Sequence, residues 1–148
     1  VRGWLRAALV MDLGADIAAA LPELRRQAES MMRDRCIITR PGAQTWDDAT
    51  GTHLPGSTST AYAGPCRVRR PNVAERDAVA GDADWTVTGV VVSIPVDGTT
   101  DDLLDATVTI VACEMDPSLT GRVFTVLAPH AQSQADARRL RCVEVARA

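Results

Sequence analysis

Few side chains in this 148-residue sequence could bind a metal, attack a carbonyl or move a proton: four cysteines, two histidines and some charged clusters. Cys36, Cys66, Cys113 and Cys142 are spaced 30, 47 and 29 residues apart. A structural zinc site draws its ligands in short pairs, because one turn must present two thiolates to one ion, and no C-x-x-C pair occurs. Each cysteine lies in a short apolar, β-prone run, so the expectation is four small, buried, unpaired core thiols. His53 falls in a turn-rich polar segment and His130 follows Pro129; both are expected to be solvated loop residues. Gly56-Ser57 has no G-x-S-x-G elbow around it, so a Ser57–His130–Asp relay carries little weight. Phosphate-cradling glycine loops are missing as well, since the chain has no lysine for G-x-x-x-x-G-K and no G-x-G-x-x-G.

The charged clusters are more informative. Asp97, Asp101, Asp102 and Asp105 form the best candidate for a hard cation, which takes several carboxylate oxygens. Their spacing departs from the calcium-binding hand and its closing Glu is missing, so the run reads as a solvated hairpin tip between two strands. Arg67, Arg69 and Arg70, and again Arg138, Arg139 and Arg141, are basic clusters that a solvated strand face would explain. The functional alternative is ion pairing across a subunit interface with the many aspartates, because arginine suits bidentate carboxylate contacts. No catalytic set, cofactor or metal is expected.

These residues need elements to position them. Leu13, Ile17, Leu21, Leu24, Ala28 and Met31 recur at three- and four-residue spacing and make one apolar helical stripe. Pro22 interrupts it, which suggests two helical pieces, the better one ending near Arg35. From Cys36 the pattern turns to β: residues 36–40, a polar hairpin with Thr45-Trp46 and Thr52-His53-Leu54 around a turn at residues 48–51, then 62–70, 85–96, 106–115, 122–128 and 140–145. Residues 71–84 are ambiguous between a loop and a short helix over 73–79, and 129–139 suggests a helical turn. The resulting fold class is α+β, mainly β: an N-terminal amphipathic helical segment (1–35) and a small antiparallel barrel or sandwich with long loops (36–148).

Composition narrows the function classes. Apolar residues make up 46% and charged residues 24%, ordinary values for a globular domain. The net charge of −3 argues against a DNA-coating protein, and 3% aromatics argue against base stacking on exposed rings. No segment approaches the roughly 18 apolar residues of a membrane span. Residues 4–11 are apolar, but Arg6 interrupts them and Asp12 and Asp16 follow, so no secretory signal is expected there.

Several motifs then occur in a telling order: MMRDRCIITRP from residue 31, DDATGT from 47, STAYAGPCRVR from 59, VTGVVVSIPV from 87, DPSLTGRVFTV from 116 and QADARRLRCVEV from 134. Over residues 28–145 the chain resembles the head–tail joining proteins of tailed phages and prophages of actinobacteria, the stopper or head-completion group. The most specific pieces are Tyr62-x-Gly64-Pro65-Cys66-Arg67-Val68 and Asp116-Pro117-x-Leu119-x-Gly121-Arg122-x-Phe124. Where such proteins often open a strand with Gly-Asp, this chain has Asp105-Ala106.

The resemblance implies a structural, non-enzymatic protein of the virion neck, assembled in the host cytoplasm. It would form a ring, a dodecamer or hexamer, that closes the filled capsid. A portal or adaptor would lie above it and a tail terminator or tail tube below, with DNA passing through unread and no membrane involved. The alternatives are another neck or tail protein such as a tail terminator, or a small ligand-binding or hydrolytic β-barrel. In a ring, Leu13, Ile17 and the basic residues Arg67, Arg69, Arg70, Arg138 and Arg139 are the expected subunit or partner contacts. The loop of Asp97, Asp101, Asp102 and Asp105 is expected to face the channel and repel phosphate.

Overall fold

The structure, a computed structural model, describes residues 12–70 and 89–144 together with the backbone of 77–80 and 83–86. One helix, α1 (Leu13–Ser30), precedes the strands β1 (Asp34–Arg40), β2 (Thr45–Asp47), β3 (Thr52–Leu54), β4 (Ser59–Arg69), β5 (Asp77–Ala80), β6 (Ala83–Thr86), β7 (Gly89–Ile94), β8 (Thr107–Ala112), β9 (Val123–His130) and β10 (Arg138–Glu144). Six of them close into an antiparallel barrel in the order β1-β4-β7-β10-β9-β8. The helix-then-barrel class expected from the sequence is therefore the observed one.

Strand alternation fills the barrel. Cys36 and Ile38, Val90, Val92 and Ile94, Val108 and Ile110, Phe124 and Val126, and Leu140 and Cys142 all point inward and are buried. A six-stranded barrel is narrow, and branched aliphatics, small thiols and a single Phe are the side chains that fill it. All four cysteines are buried and unpaired, as expected, with Cys113 one residue past β8.

Both signature motifs turn out to build the fold. The Tyr62 hydroxyl donates to the Pro65 carbonyl at 2.6 Å, which folds its ring back over Gly64. A Cβ at Gly64 would lie 2.8 Å from that hydroxyl, and one at Gly98 would lie 2.6 Å from the ring edge, so both positions exclude a side chain. Asp116 caps the 3-10 turn Pro117–Leu119 by accepting from the Ser118 N–H, and the Gly121 N–H then donates to the Ile110 carbonyl at 2.7 Å.

Four local expectations need correction. Pro22 lies inside one continuous helix instead of dividing two pieces, and the helix stops at Ser30, short of Arg35. The proline leaves the Ala18 carbonyl without its donor, but Ala18 is exposed and solvent replaces the bond. Residues 77–80 are a strand paired with 83–86, so the described part of the short-helix segment is β; residues 71–76 lie outside the described residues. Residues 131–137 form bends and turns without a helix. The hairpin of β2 and β3 matches its expectation, with Gly51 at φ 63° and Asp47 accepting from the Ala49 N–H and the Thr50 hydroxyl.

Candidate functional site

The polar chemistry of this chain lies on the barrel's outside and at its end. Along β7, Val90, Val92 and Ile94 face in, which turns Val91 and Ser93 out. On one side β4 places Arg67 opposite Ser93 and Arg69 opposite Val91; on the other, β10 places Arg139 opposite Ser93 and Arg141 opposite Val91. With neighbouring strands about 4.8 Å apart, the arginines of each row stand roughly 10 Å apart across β7. Four guanidinium groups thus share one face.

Some of that charge is answered locally. Arg139 pairs with Asp136 at 3.0 Å, and Arg67 Nη1 lies 3.5 Å from Met31 Sδ. Among the described residues, Arg69 and Arg141 have no ion-pair partner, and both are exposed. Arg70 follows β4 at its exposed end, off the paired rows. Arg138 is opposite Ile94 and so belongs to the inward set; its guanidinium donates to the Thr99 carbonyl. The structure therefore brings Arg67, Arg69 and Arg139 together, separates Arg70 and Arg138 from them, and completes the face with Arg141.

The acidic segment is not a hairpin tip between paired strands. β7 and β8 are not neighbours in the barrel, so the connection crosses the barrel end, burying Thr99, Leu103 and Ala106 as it goes. Asp97, Asp101, Asp102 and Asp105 are left exposed on that crossing. Asp101 lies 3.8 Å from Arg40, Asp102 accepts from the Leu104 N–H, and the Asp105 N–H donates to the Val126 carbonyl. Asp105 sits at φ 59°, in the left-handed region that glycine prefers. Beside this crossing a depression of about 230 Å³ is lined by Asp101, Asp102, Leu103, His130 and Arg138 among others. It is smaller than the roughly 300–1,000 Å³ of typical small-molecule sites.

The thiols sit where they are poor nucleophiles. Cys66 is pushed far up by its hydrogen bond with the Cys36 thiol and by burial, and burial pushes Cys142 up to about 12. Cys113 is raised by burial and by a hydrogen bond with Asp34. Protonated thiols neither attack nor ligate well at neutral pH. Among the described residues no three His, Cys, Asp or Glu side chains are grouped to hold a metal ion. Ser57, His53 and His130 are exposed on separate segments, His53 with its ring edge-on to Trp46 at 4.9 Å.

The apolar stripe of α1 contrasts with the barrel core. Ala28 is its one buried member; with Met32 it packs on Ala137, and Arg25 Nε donates to the Ala135 carbonyl. Leu13 is 65% exposed, Ile17 40%, Leu24 47% and Met31 52%, so these larger members of the stripe lie outside the buried core. Residues 12–20 are exposed on every side of the helix. This N-terminal half of α1, exposed among the described residues, is called the arm below.

With this geometry in place, residues 24–143 match the family described as a family of unknown function, DUF6093. The chain belongs to that family. Its match begins within α1 and runs almost to the end of β10, so the barrel and the anchored half of the helix are family features, while Leu13 and Ile17 precede the matched region. No curated protein matches the sequence. Among solved structures, the DUF6093 chain is similar to the solution structure of protein SF1141 from Shigella flexneri 2a. The TM-score is 0.53 at 20% identity, over 77% of this chain and 93% of that one. At that identity the likeness is one of fold. Among the described residues no helix is long and apolar enough to cross a membrane.

Proposed function

We propose that this DUF6093 chain is a structural protein of the tailed-phage neck, a ring-forming stopper that closes the DNA-filled head and offers the tail its attachment surface. The observation that carries the reading is the α1 arm. A helix of this length is marginal alone in water, yet residues 12–20 are exposed among the described residues. Seating Leu13 and Ile17 against another protein would contribute about 1.5–3 kcal/mol for each side chain fully buried. The motif order of the sequence supplies the phage assignment, and the filled barrel with protonated thiols is consistent with a scaffold. In such a ring the acidic crossing at the barrel end would meet the DNA channel, where like charge keeps phosphate from sticking. Portal or adaptor and tail proteins would be the partners above and below.

Deleting the coding gene from a phage or prophage that carries it tests this reading. The expected result is separate heads and tails, with joining restored by the intact gene. Joined, infectious particles made without the gene would contradict it. Tails of abnormal length with normal head closure would favour the tail-terminator alternative.

A further inference from the structure

We infer that the arginine face of β4, β7 and β10 is the seat for the α1 arm of a second copy of this chain, so that copies join arm to face in a closing series. The inference draws on the ring reading only for the premise that copies associate.

Three observations lead to it. First, the face is incomplete in charge. Arg67 and Arg69 on one side and Arg139 and Arg141 on the other flank Val91 and Ser93, which concentrates positive charge on this face. Among the described residues only Asp136 answers them with a carboxylate. Second, the arm is incomplete in the complementary sense. Residues 12–22 carry Asp12 and Asp16 and no basic residue, and these lie one helical turn apart beside the exposed pair Leu13 and Ile17. Asp12 spends one carboxylate oxygen on capping the Gly14 and Ala15 N–H groups, and the other faces solvent. Ala15, Ala18, Ala19 and Ala20 keep the remaining helix surface slim enough for close approach. An acidic and apolar ridge thus matches a face of arginine stems around Val91, where the stems cover Leu13 and Ile17 while the forks take the carboxylates.

Third, the arm does not cover the face of its own chain, since residues 12–20, Arg69 and Arg141 are all exposed. The C-terminal part of α1 is held beside that face, through Met31 at Arg67 and Arg25 at Ala135. Arm and face are different surfaces, so the contact is heterologous. Repeated head to tail, it generates a ring when the rotation closes. Nucleic acid is the competing polyanion for the same arginines, but the chain's net charge of −3 opposes long-range attraction of phosphate.

Sedimentation velocity of the full chain at low ionic strength tests the assignment. The parent chain is expected to self-associate with a strong dependence on salt. A face variant, Arg69→Glu with Arg141→Glu, and an arm variant, Leu13→Arg with Asp16→Arg, should each associate roughly tenfold or more weakly. The milder Arg69→Gln with Arg141→Gln should fall between face variant and parent, and all should keep the parent's thermal transition because the altered residues are exposed. Mixing the face variant with the arm variant should give a one-to-one complex, since one intact arm then meets one intact face. A face variant that assembles like the parent, or a mixture that stays monomeric, overturns the inference and leaves the neck reading standing. A parent chain that is monomeric at its highest soluble concentration overturns both. A duplex oligonucleotide that binds the parent and displaces self-association would show the face to be a nucleic-acid site instead.

Discussion

On one side of the barrel, the outward residues of β4 and β10 are arginines flanking Val91 and Ser93. On the other, β1, β8 and β9 set Thr39, Thr107 and Thr125 in one row and Ile37, Thr109 and Val123 in the next. The inward residues behind both faces are the same kind, branched aliphatics with scattered thiols. Folding therefore demands the interior and leaves the exterior free to differ. Threonine, valine and isoleucine are what strand propensity alone would place on an outer face. Four arginines in two rows are not what strand propensity asks for, and in our proposal a second copy of the chain answers their charge. The neutral face needs only the fold to explain it, whereas we propose that the basic face meets a partner.

The comparison breaks first if the interior is not shared. Phe124, the largest fully buried side chain among the described residues, lies on β9 behind the neutral face, and its replacement by Ala should cost about 3–5 kcal/mol in chemical denaturation. The loss should appear as a single transition for both faces. Two separate transitions would show that the faces fold independently.

Alkaline pH probes the same interior through the thiols. Below the ordinary thiol value near 8.5, folded and unfolded chains are both protonated and the contribution to stability is whole. Above it the unfolded chain sheds protons that the folded chain retains, since Cys66, Cys113 and Cys142 are all raised. Stability should therefore fall as pH rises from about 8.5 toward 12, at about 1.4 kcal/mol per pH unit for each thiol still protonated. A melting temperature flat across that range would contradict the buried, protonated state.

A smaller effect is expected at Gly98, where an added Cβ would press on the Tyr62 ring edge. Gly98→Ala should cost about 1–3 kcal/mol by overpacking, measured by thermal unfolding. The smallest belongs to the exterior. Arg69→Gln with Arg141→Gln, and separately Thr107→Gln on the neutral face, should each shift stability by no more than about 0.5 kcal/mol. A large loss at the arginine pair alone would mean that the basic face holds the monomer together, and the contrast between the faces would lose its meaning.

Local pattern carried much of this fold. The Cys36 and Cys66 runs, the turn at Gly51 and the stripe of α1 are written in spacing and residue type within a few positions of each other. What could not be read locally is the order of strands. That Arg67 and Arg69 meet Arg139 and Arg141 across β7 depends on β4 and β10 both choosing that strand, a pairing between distant segments. The same non-local choice converts the Asp97–Asp105 segment from a hairpin tip into a crossing of the barrel end. Alternation within β10 did hold a missed signal: consecutive residues face opposite ways, so Arg138 and Arg139 could never share a surface. Pro22 misled because an exposed helix tolerates an unpaired carbonyl that a buried one would not.

The central claim is that this barrel assembles into a ring at the junction of head and tail. A reconstruction of the joined particle tests it most directly. The account predicts a closed ring of these six-stranded barrels between portal and tail, with each α1 arm lying on the next subunit and the Asp97–Asp105 crossing toward the channel. A map with the barrel located in the tail tube or the capsid shell, or with no ring of it in the neck, would contradict the account.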